Sequence, residues 1–322
     1  MQFIDKLSQL VSNTIQKDVS LASYTTFKIG GPAKYFCVVE SSEELIKLVD
    51  LAEKNNLPYF ILAGGSNVLV SDNGFDGLVM KIGFSRLKIK DNLIECDAGA
   101  ALSKAVGEAL SFGLAGLDWA TGIPGTVGGA IRGNAGAYGS QISDNVKSVT
   151  VLRRGKAKNL TNKECNFSYR HSIFKDVDNK DIILSVVFEL QSGDRAKIKQ
   201  KMKEIIMERN KKFNNYSCAG CVFKNIEISE NEWSEIKKKW PNLPDEFLRF
   251  RKIPAGWLIE ECDLKGKKIG GAQVSDQHAN VIINAGQATA EDVIILTSII
   301  KQKVRSKFNL QLMEEIEYLG FK

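Results

Sequence analysis

The sequence predicts an α+β protein built from more than one structural unit. Two patterns carry this reading. Strand-like and helix-like segments alternate only through the first third of the chain, and a strongly charged helical stretch marks a later change of composition. Length agrees, because 322 residues exceed what a single core of about 150 residues holds. A balance of 43% hydrophobic and 25% charged residues is that of a globular chain and excludes a disordered or collagen-like one.

The elements follow in order. The opening MQFIDKLSQLVSNT has the spacing of a short amphipathic helix and lacks the apolar core and cleavage site of a secretion signal. Residues 24–39 read as extended. In SSEELIKLVDLAEKN, Ser41 and Glu44 are spaced as a capping box, while Leu45, Leu48, Val49 and Ala52 fall on one helical face. PYFILAGGSNVLVS reads as strand, glycine turn and strand, and residues 77–98 as short β-runs. ALSKAVGEALSFG is a second helix stopped by Gly113. After the glycine-dense GIPGTVGGAIRGNAGAYG, further strands are expected at VKSVTVLRR and DIILSVVFEL. SGDRAKIKQKMKEIIMERNKK is the charged helix, read as the start of a second large unit. In ATAEDVIILTSIIKQKVRSKF, Thr289 and Asp292 cap a helix with Val293, Leu296, Ile300 and Val304 on one side. LQLMEEIEYLG alternates as a final strand, which puts Glu315 and Glu317 on one face and Glu314 on the other.

Charge and cysteine usage narrow the function classes. The net charge of +6 comes from dispersed basic residues without zinc-finger spacing or interleaved aromatics, so no nucleic-acid partner is expected. No run of about 18 apolar residues exists, so no membrane partner is expected either. Six scattered cysteines fit free thiols in a reducing cytoplasm.

Two stretches could cradle phosphate: AGGSN, with Gly64 and Gly65 after an apolar strand, and GIPGTVGGA, with Gly122, Gly125, Gly128 and Gly129 around Pro124 and Thr126. Glycines let backbone N–H groups converge on an anion without Cβ interference. Neither stretch matches the Rossmann or P-loop spacing. A tight turn explains either cluster equally well, but two in one chain favour a large phosphate-bearing cofactor.

NNYSCAGCVFKN places Cys218 and Cys221 three apart. The spacing admits a redox pair, half of a metal site, or two cysteines with separate roles. A metal site is disfavoured, because there is no second Cys-x-x-Cys and only His171 and His278 are available.

FKIGGPAKYF, AGGSNVLV, GIPGTVGGAIRGNAGAYG, CNFSYRHSIFK, AGCVFKN, AGWLIEECDLKGKKIGGAQVSDQHANVIIN and ATAEDV together resemble the UDP-N-acetylenolpyruvoylglucosamine reductase (MurB) family, in the family's order, over about residues 25–320. The resemblance implies a two-subdomain FAD-binding unit of the PCMH/VAO type plus a C-terminal α+β substrate-binding domain. Its subdomains would cover residues 1–80 and 81–194, the second joined by a C-terminal strand over 309–322, and the substrate domain 195–308. It implies a monomeric cytoplasmic enzyme of peptidoglycan precursor synthesis. NADPH would reduce FAD, and hydride would pass to UDP-N-acetylglucosamine enolpyruvate, giving UDP-N-acetylmuramate.

Carried onto this chain, Gly64, Gly65, Ser66, Asn67, Gly122, Pro124, Gly125, Thr126 and Gly129 would hold FAD, with Asn134 and Gly136 continuing that wall. Tyr169, Lys211, Asn225, Gln277 and His278 would contact the substrate. Reduction of an enol ether conjugated to a carboxylate needs hydride at the β-carbon, stabilised enolate charge and a proton at the α-carbon. Arg170 would stabilise the enolate, since its fixed cationic fork suits that charge, and Glu315 would assist protonation or enol stabilisation. Cys221 stands where the family carries its proton-donating serine. The resemblance therefore makes Cys221 the acid and Cys218 a neighbour. A thiol with a free pKa of about 8.5 stays mostly protonated near neutrality and is a stronger acid than an alcohol.

Some positions depart from the family. Gly133 replaces a common methionine, and Cys262 a frequent glycine. Residues 226–252 form a longer connector, in which Trp233, Ile236 and Trp240 have helical spacing. The short run over 189–195 matches the subtype lacking a tyrosine-bearing loop over substrate. Two rival readings stay open: a related flavin oxidoreductase with another substrate, and a thiol-based redox or metal-binding module.

Overall fold

A computed structural model describes residues 12–213 and 216–321. The helix expected at the amino terminus falls almost wholly outside them. The fold divides into two compact units. The first comprises the described residues up to Tyr24 with Gly31–Gly65 and Asn73–Lys211; the second comprises Thr25–Gly30, Ser66–Asp72 and the described residues from Lys212 onward.

Two sheets organise the first unit. Strands β1 (Gln16–Ser20), β2 (Pro32–Val39), β3 (Tyr59–Leu62) and β5 (Phe75–Ile82) form one, in the order β1-β2-β5-β3; the intervening β4 (Val68–Val70) belongs to the second unit. β2 and β3 both run parallel to β5, and helix α1 (Ser42–Lys54) makes the crossover between them. Ser41 caps α1 by accepting from Glu44 N, and Leu45, Leu48 and Ala52 are wholly buried. The Glu44 carboxylate accepts from Glu40 N instead of closing the reciprocal box. Residues 24–39 are extended only from Pro32: Leu21–Tyr24 form a 3₁₀ turn, and Lys28 has φ 58.

The second sheet is antiparallel: β6 (Leu87–Lys90), β7 (Leu93–Asp97), β8 (Val146–Arg153), β9 (Lys156–Thr161) and β10 (Ile182–Glu189), in the order β9-β8-β10-β7-β6. Helix α2 (Leu102–Ser111) buries Leu102, Ala105, Val106 and Ala109 in the adjoining core and ends at Gly113, whose φ of 65 suits glycine. The six-residue α3 (Val127–Arg132) follows the second glycine loop and packs Val127 and Ile131 into the same core.

The charged helix α4 (Arg195–Phe213) was expected to open the second unit, but the structure assigns it to the first as far as Lys211. The reason is local: Lys201 Nζ lies 2.5 Å from Asp118 Oδ2, and Met202 packs against the core under β7 and β10.

The second unit holds a sheet of β11 (Cys218–Cys221), β12 (Lys268–Ile269), β13 (Ala272–Val274) and β14 (Val281–Asn284), ordered β11-β14-β13-β12. Helix α5 (Glu230–Lys239) realises the helical spacing in the long connector, with Ser229 and Glu232 forming a capping box. Trp233 is buried and Trp240 meets Phe308 edge-on at 5.4 Å, so this helix is part of the core. The short helices α6 (Glu246–Arg249) and α7 (Ala255–Glu260) follow. After α7 the left-handed residue is Asp263, with φ 55, so Cys262 occupies a position that needs no glycine.

Helix α8 (Ala290–Phe308) is the spine of this unit. Thr289 and Asp292 close their capping box, and the Asp72 carboxylate accepts from Ala290 N and Glu291 N at 2.8 and 3.1 Å. The four N–H groups at the helix start, on Thr289, Ala290, Glu291 and Asp292, are thereby satisfied. Val293, Leu296, Ile300 and Val304 are wholly buried. Leu296→Ala is expected to lower stability by about 2–5 kcal/mol in a denaturant titration, because the cavity forms where the helix has no room to collapse.

The terminal segment, expected to join the second cofactor subdomain, instead belongs to the second unit, where β15 (Glu317–Leu319) runs parallel to β4. Among the described residues, no helix is long and apolar enough to cross a membrane.

Candidate active site

In the first unit the two glycine loops touch backbone to backbone. A Cβ added at Gly64 would lie 2.7 Å from Gly125 Cα and 3.3 Å from Thr126 N. Gly65, Gly122 and Gly125 have φ of 61, 75 and 119, a region other residues enter at a cost. Thr126 Oγ1 accepts from Gly129 N at 3.3 Å and caps α3. Gly122, Pro124 and Gly129 are exposed on this junction, and a Cβ at Gly122 would lie 3.2 Å from Arg209 Nε. Gly64, Gly65, Gly122, Pro124, Gly125, Thr126 and Gly129 are therefore brought together. Ser66 and Asn67 of the same AGGSN loop fall in the second unit. If the loops hold the flavin that the resemblance implies, Gly64→Ala is expected to cost most of it, read as the ratio of flavin to protein absorbance, because its methyl group meets main chain that cannot yield.

Arg170 occupies the second position of a two-residue turn closed by reciprocal backbone hydrogen bonds between Ser168 and His171, both 3.1 Å. Its φ is 54, and its guanidinium carbon lies 5.6 Å from the centre of the Tyr169 ring. The left-handed backbone holds a bulky residue in a conformation that the surroundings must impose. Asn134 Nδ2 donates to Ser168 O at 2.8 Å, and Ser172 Oγ donates to Arg132 O at 2.7 Å. A Cβ at Gly136 would lie 2.8 Å from Ser140 O and 3.3 Å from Arg170 Nη1, so glycine there is needed first by the main chain and also leaves space beside the guanidinium. Asn134 and Gly136 thus stand beside the arginine turn.

The chain segments that carry Cys221 and Glu315 pair in the second unit. Beyond β11 the chain pairs with the approach to β15: Lys224 N donates to Met313 O at 2.9 Å, Glu315 N donates to Val222 O at 2.7 Å, and Phe223 bridges Glu314. Cys221 is thereby one residue along the chain from the residue that binds Glu315. Asn67 locks the other edge, its Nδ2 donating to Glu315 O at 3.1 Å and its carbonyl accepting from Glu317 N at 2.9 Å. The Glu314 carboxylate is held by Lys301 Nζ at 2.9 Å. The expected long strand over LQLMEEIEYLG is thus only three residues, preceded by this bridge.

The Cys-x-x-Cys lies in strand β11 with a register shift, and Gly220 has φ 77. A reactive pair uses the N-terminus of a helix to lower its thiol pKa. Here no helix begins at the pair, and burial pushes the Cys218 thiol up, so it stays protonated. The geometry therefore favours separate roles. Among the described residues, no cluster of three or more metal-ligating side chains forms.

The expected substrate contacts divide between the units, Tyr169 and Lys211 in the first and Asn225, Gln277 and His278 in the second. Lys211 is exposed near the end of α4, and Asn225 Oδ1 accepts from Ala255 N at 3.1 Å, tying the Cys221 segment to α7. Gln277 is exposed. His278 stacks on Phe213 at 6.1 Å, and its Nδ1 accepts from Asn280 N at 3.2 Å, which leaves Nε2 as the N–H. Burial, then Lys212, pushes the His278 pKa below the usual histidine value, with Lys265 adding to this and Glu260 opposing it. The unfolded chain takes up this proton near pH 6.5 and the folded chain only at lower pH. Stability from this group is thus complete above about pH 6.5 and declines as pH falls towards the folded value. His278→Gln is expected to flatten the denaturation midpoint across that window, above the carboxylate range.

Sequence comparisons agree with this geometry. A family model described as UDP-N-acetylenolpyruvoylglucosamine reductase, C-terminal domain, matches residues 211–319, and one described as FAD binding domain matches residues 33–160. The UDP-N-acetylenolpyruvoylglucosamine reductase of Caldanaerobacter subterraneus is 38% identical over 99% of this chain and 98% of its own. That of Clostridium novyi is 36% identical over 97% and 94%. The crystal structure of the Thermus caldophilus enzyme superposes with a TM-score of 0.75 at 30% identity, covering 95% of this chain and all of that one. The chain belongs to the UDP-N-acetylenolpyruvoylglucosamine reductase family.

As a member of that reductase family it is an FAD-dependent oxidoreductase. The FAD-binding match encloses both glycine loops, and the C-terminal match begins where the second unit takes over from α4. The close approach of the two glycine loops, which a Cβ at Gly64 would block, fits a site that holds a pyrophosphate through main-chain N–H groups.

Sequence reasoning missed Asn280, which in this reductase is 3% exposed and hydrogen-bonded at both ends to Phe223, with Nδ2 to the carbonyl at 2.8 Å and Oδ1 from the N–H at 3.0 Å. It pins the segment that follows Cys221. The available signal was an asparagine between the buried-type residues of HANVIIN, polar where the pattern is apolar.

Proposed function

We propose that this chain reduces UDP-N-acetylglucosamine enolpyruvate to UDP-N-acetylmuramate at the expense of NADPH, in peptidoglycan precursor synthesis. The observation that carries the reading is the backbone ladder joining Val222 to Glu315, which sets the neighbour of Cys221 against the other candidate catalytic acid. Gly64, Gly65, Gly122, Gly125, Thr126 and Gly129 would hold FAD through main-chain contacts. Bound there, FAD would supply the hydride-transfer chemistry between NADPH and the β-carbon of the enolpyruvyl group.

The remaining work falls to the protein. Arg170 binds the substrate carboxylate and stabilises the charge that spreads onto it as the enolate forms. Its turn is fixed by Ser168, His171 and Asn134, so little reorganisation is needed when that charge appears. Cys221 Sγ–H gives its proton to the α-carbon, and the resulting thiolate is reprotonated from solvent. Glu315 assists protonation or stabilises the enol form, while Glu314 stays paired with Lys301. Lys211, Asn225, Gln277, His278 and Tyr169 bind the nucleotide sugar, whose diphosphate suits the lysine. Substrate and product are soluble nucleotide sugars, which fits a cytoplasmic enzyme.

A two-step titration tests this. NADPH should bleach the flavin absorbance under anaerobic conditions, and UDP-N-acetylglucosamine enolpyruvate should restore it with formation of UDP-N-acetylmuramate. A flavin that bleaches but is not reoxidised by that substrate would leave a flavin oxidoreductase of other specificity.

A further inference from the structure

Asn134 lies two residues beyond α3, is 1% exposed and has a left-handed backbone, φ 42. Its amide is committed within the protein. Nδ2 donates to Ser168 O at 2.8 Å and to Gln141 Oε1 at 3.0 Å, and Oδ1 accepts from Ser143 N at 3.3 Å. Three polar contacts at a buried side chain leave little capacity for a ligand. The Ser168 carbonyl is also the acceptor for His171 N, so Asn134 holds the closure of the turn on which Arg170 sits.

The same short stretch grips that turn elsewhere. Ser172 Oγ donates to Arg132 O at 2.7 Å, Arg132 Nη1 donates to Phe174 O, and Gly136 leaves the space beside Arg170 Nη1. Residues 132–136 continue directly from α3 and the glycine loop. The geometry points to Asn134 as a positioning residue for Arg170, not a wall of the cofactor site. Through it the loop that cradles phosphate and the arginine that meets the substrate carboxylate form one rigid piece. This inference rests on the role of Arg170 under the proposed function.

Because asparagine and glycine tolerate a left-handed backbone, two replacements remove the contact and keep the conformation. Asn134→Gly deletes the amide. Asn134→Asp keeps the Oδ1 acceptor and sets a carboxylate oxygen against the Ser168 carbonyl. Each is made alone and with Arg170→Ala in the flavin-loaded enzyme. The readouts are flavin content per protein and single-turnover reoxidation by the enolpyruvyl nucleotide sugar, which resolves slow variants.

Both single variants are expected to keep wild-type flavin content and to slow reoxidation by about 10–100-fold, the scale of a misplaced catalytic group. In the Arg170→Ala background neither should slow it further, because there is no guanidinium left to misplace. Loss of flavin, unaltered reoxidation in both variants, or losses that multiply with Arg170→Ala would each overturn the inference. If Arg170→Ala alone reoxidises at the wild-type rate, the role given to that arginine fails, and this inference fails with it. That outcome is read in a different variant from the others.

Discussion

Cys221→Ala is expected to slow reduction of the enolpyruvyl nucleotide sugar by about 10²–10⁴-fold, the usual contribution of a positioned general acid. Cys221→Ser should retain most of the activity, since a hydroxyl restores a donor at the same atom position. Flavin reduction by NADPH should proceed in both, because under the proposed function the thiol enters only when the α-carbon is protonated. The measurement is stopped-flow absorbance of the two half-reactions, followed separately. Equal loss in the serine and alanine variants would assign the sulfur another task. The strand setting of the Cys-x-x-Cys sharpens the test, since burial keeps Cys218 protonated and gives Cys221 no ready thiolate partner. A thiol-specific alkylating reagent should therefore mimic the alanine variant.

Arg170→Ala is expected to cost about 10²–10³-fold in kcat, comparable to removing one preorganised donor from an oxyanion site. Arg170→Lys should recover little, because a point charge on a flexible stem does not reproduce a planar fork. The left-handed backbone at Arg170 means that neither replacement should unfold the turn, as each inherits the strain that arginine already bears. Wild-type flavin content alongside lost reoxidation would separate a catalytic defect from a structural one. Unchanged kcat with a raised KM would instead make Arg170 a uniform binding residue.

How much of this was visible in the chain depended on how local the cause was. Helix α1 and helix α8 declared themselves through apolar spacing and caps, and Leu45, Leu48, Val293 and Ile300 are buried as that spacing requires. The added helix α5 was equally legible, because Trp233 and its capping Ser229 are neighbours in sequence. The supports of the site were not. Asn134 acts on Ser168, Asn67 on Glu315 and Asn280 on Phe223, partners distant in sequence and linked by amide hydrogen bonds that have no period. A resemblance that places Asn67 and Asn134 beside a cofactor does not distinguish an amide that touches the ligand from one that holds the chain around it. The assignment of α4 to the first unit was hidden for a related reason: its anchor, Lys201 on Asp118, looks like any surface charge until the fold buries the carboxylate.

The parallel pairing of β4 with β15 has a consequence for how the polypeptide is made. Val68–Val70 leave the ribosome roughly 250 positions before Glu317–Leu319, their partner. Until β15 is translated that early segment has an unmatched edge, and until Ala290 and Glu291 are made Asp72 has no helix start to bind. Synthesis of β15 is therefore the step that lets the second unit close around β4, and a stop codon before β15 should leave a product that chaperones must hold or proteases remove.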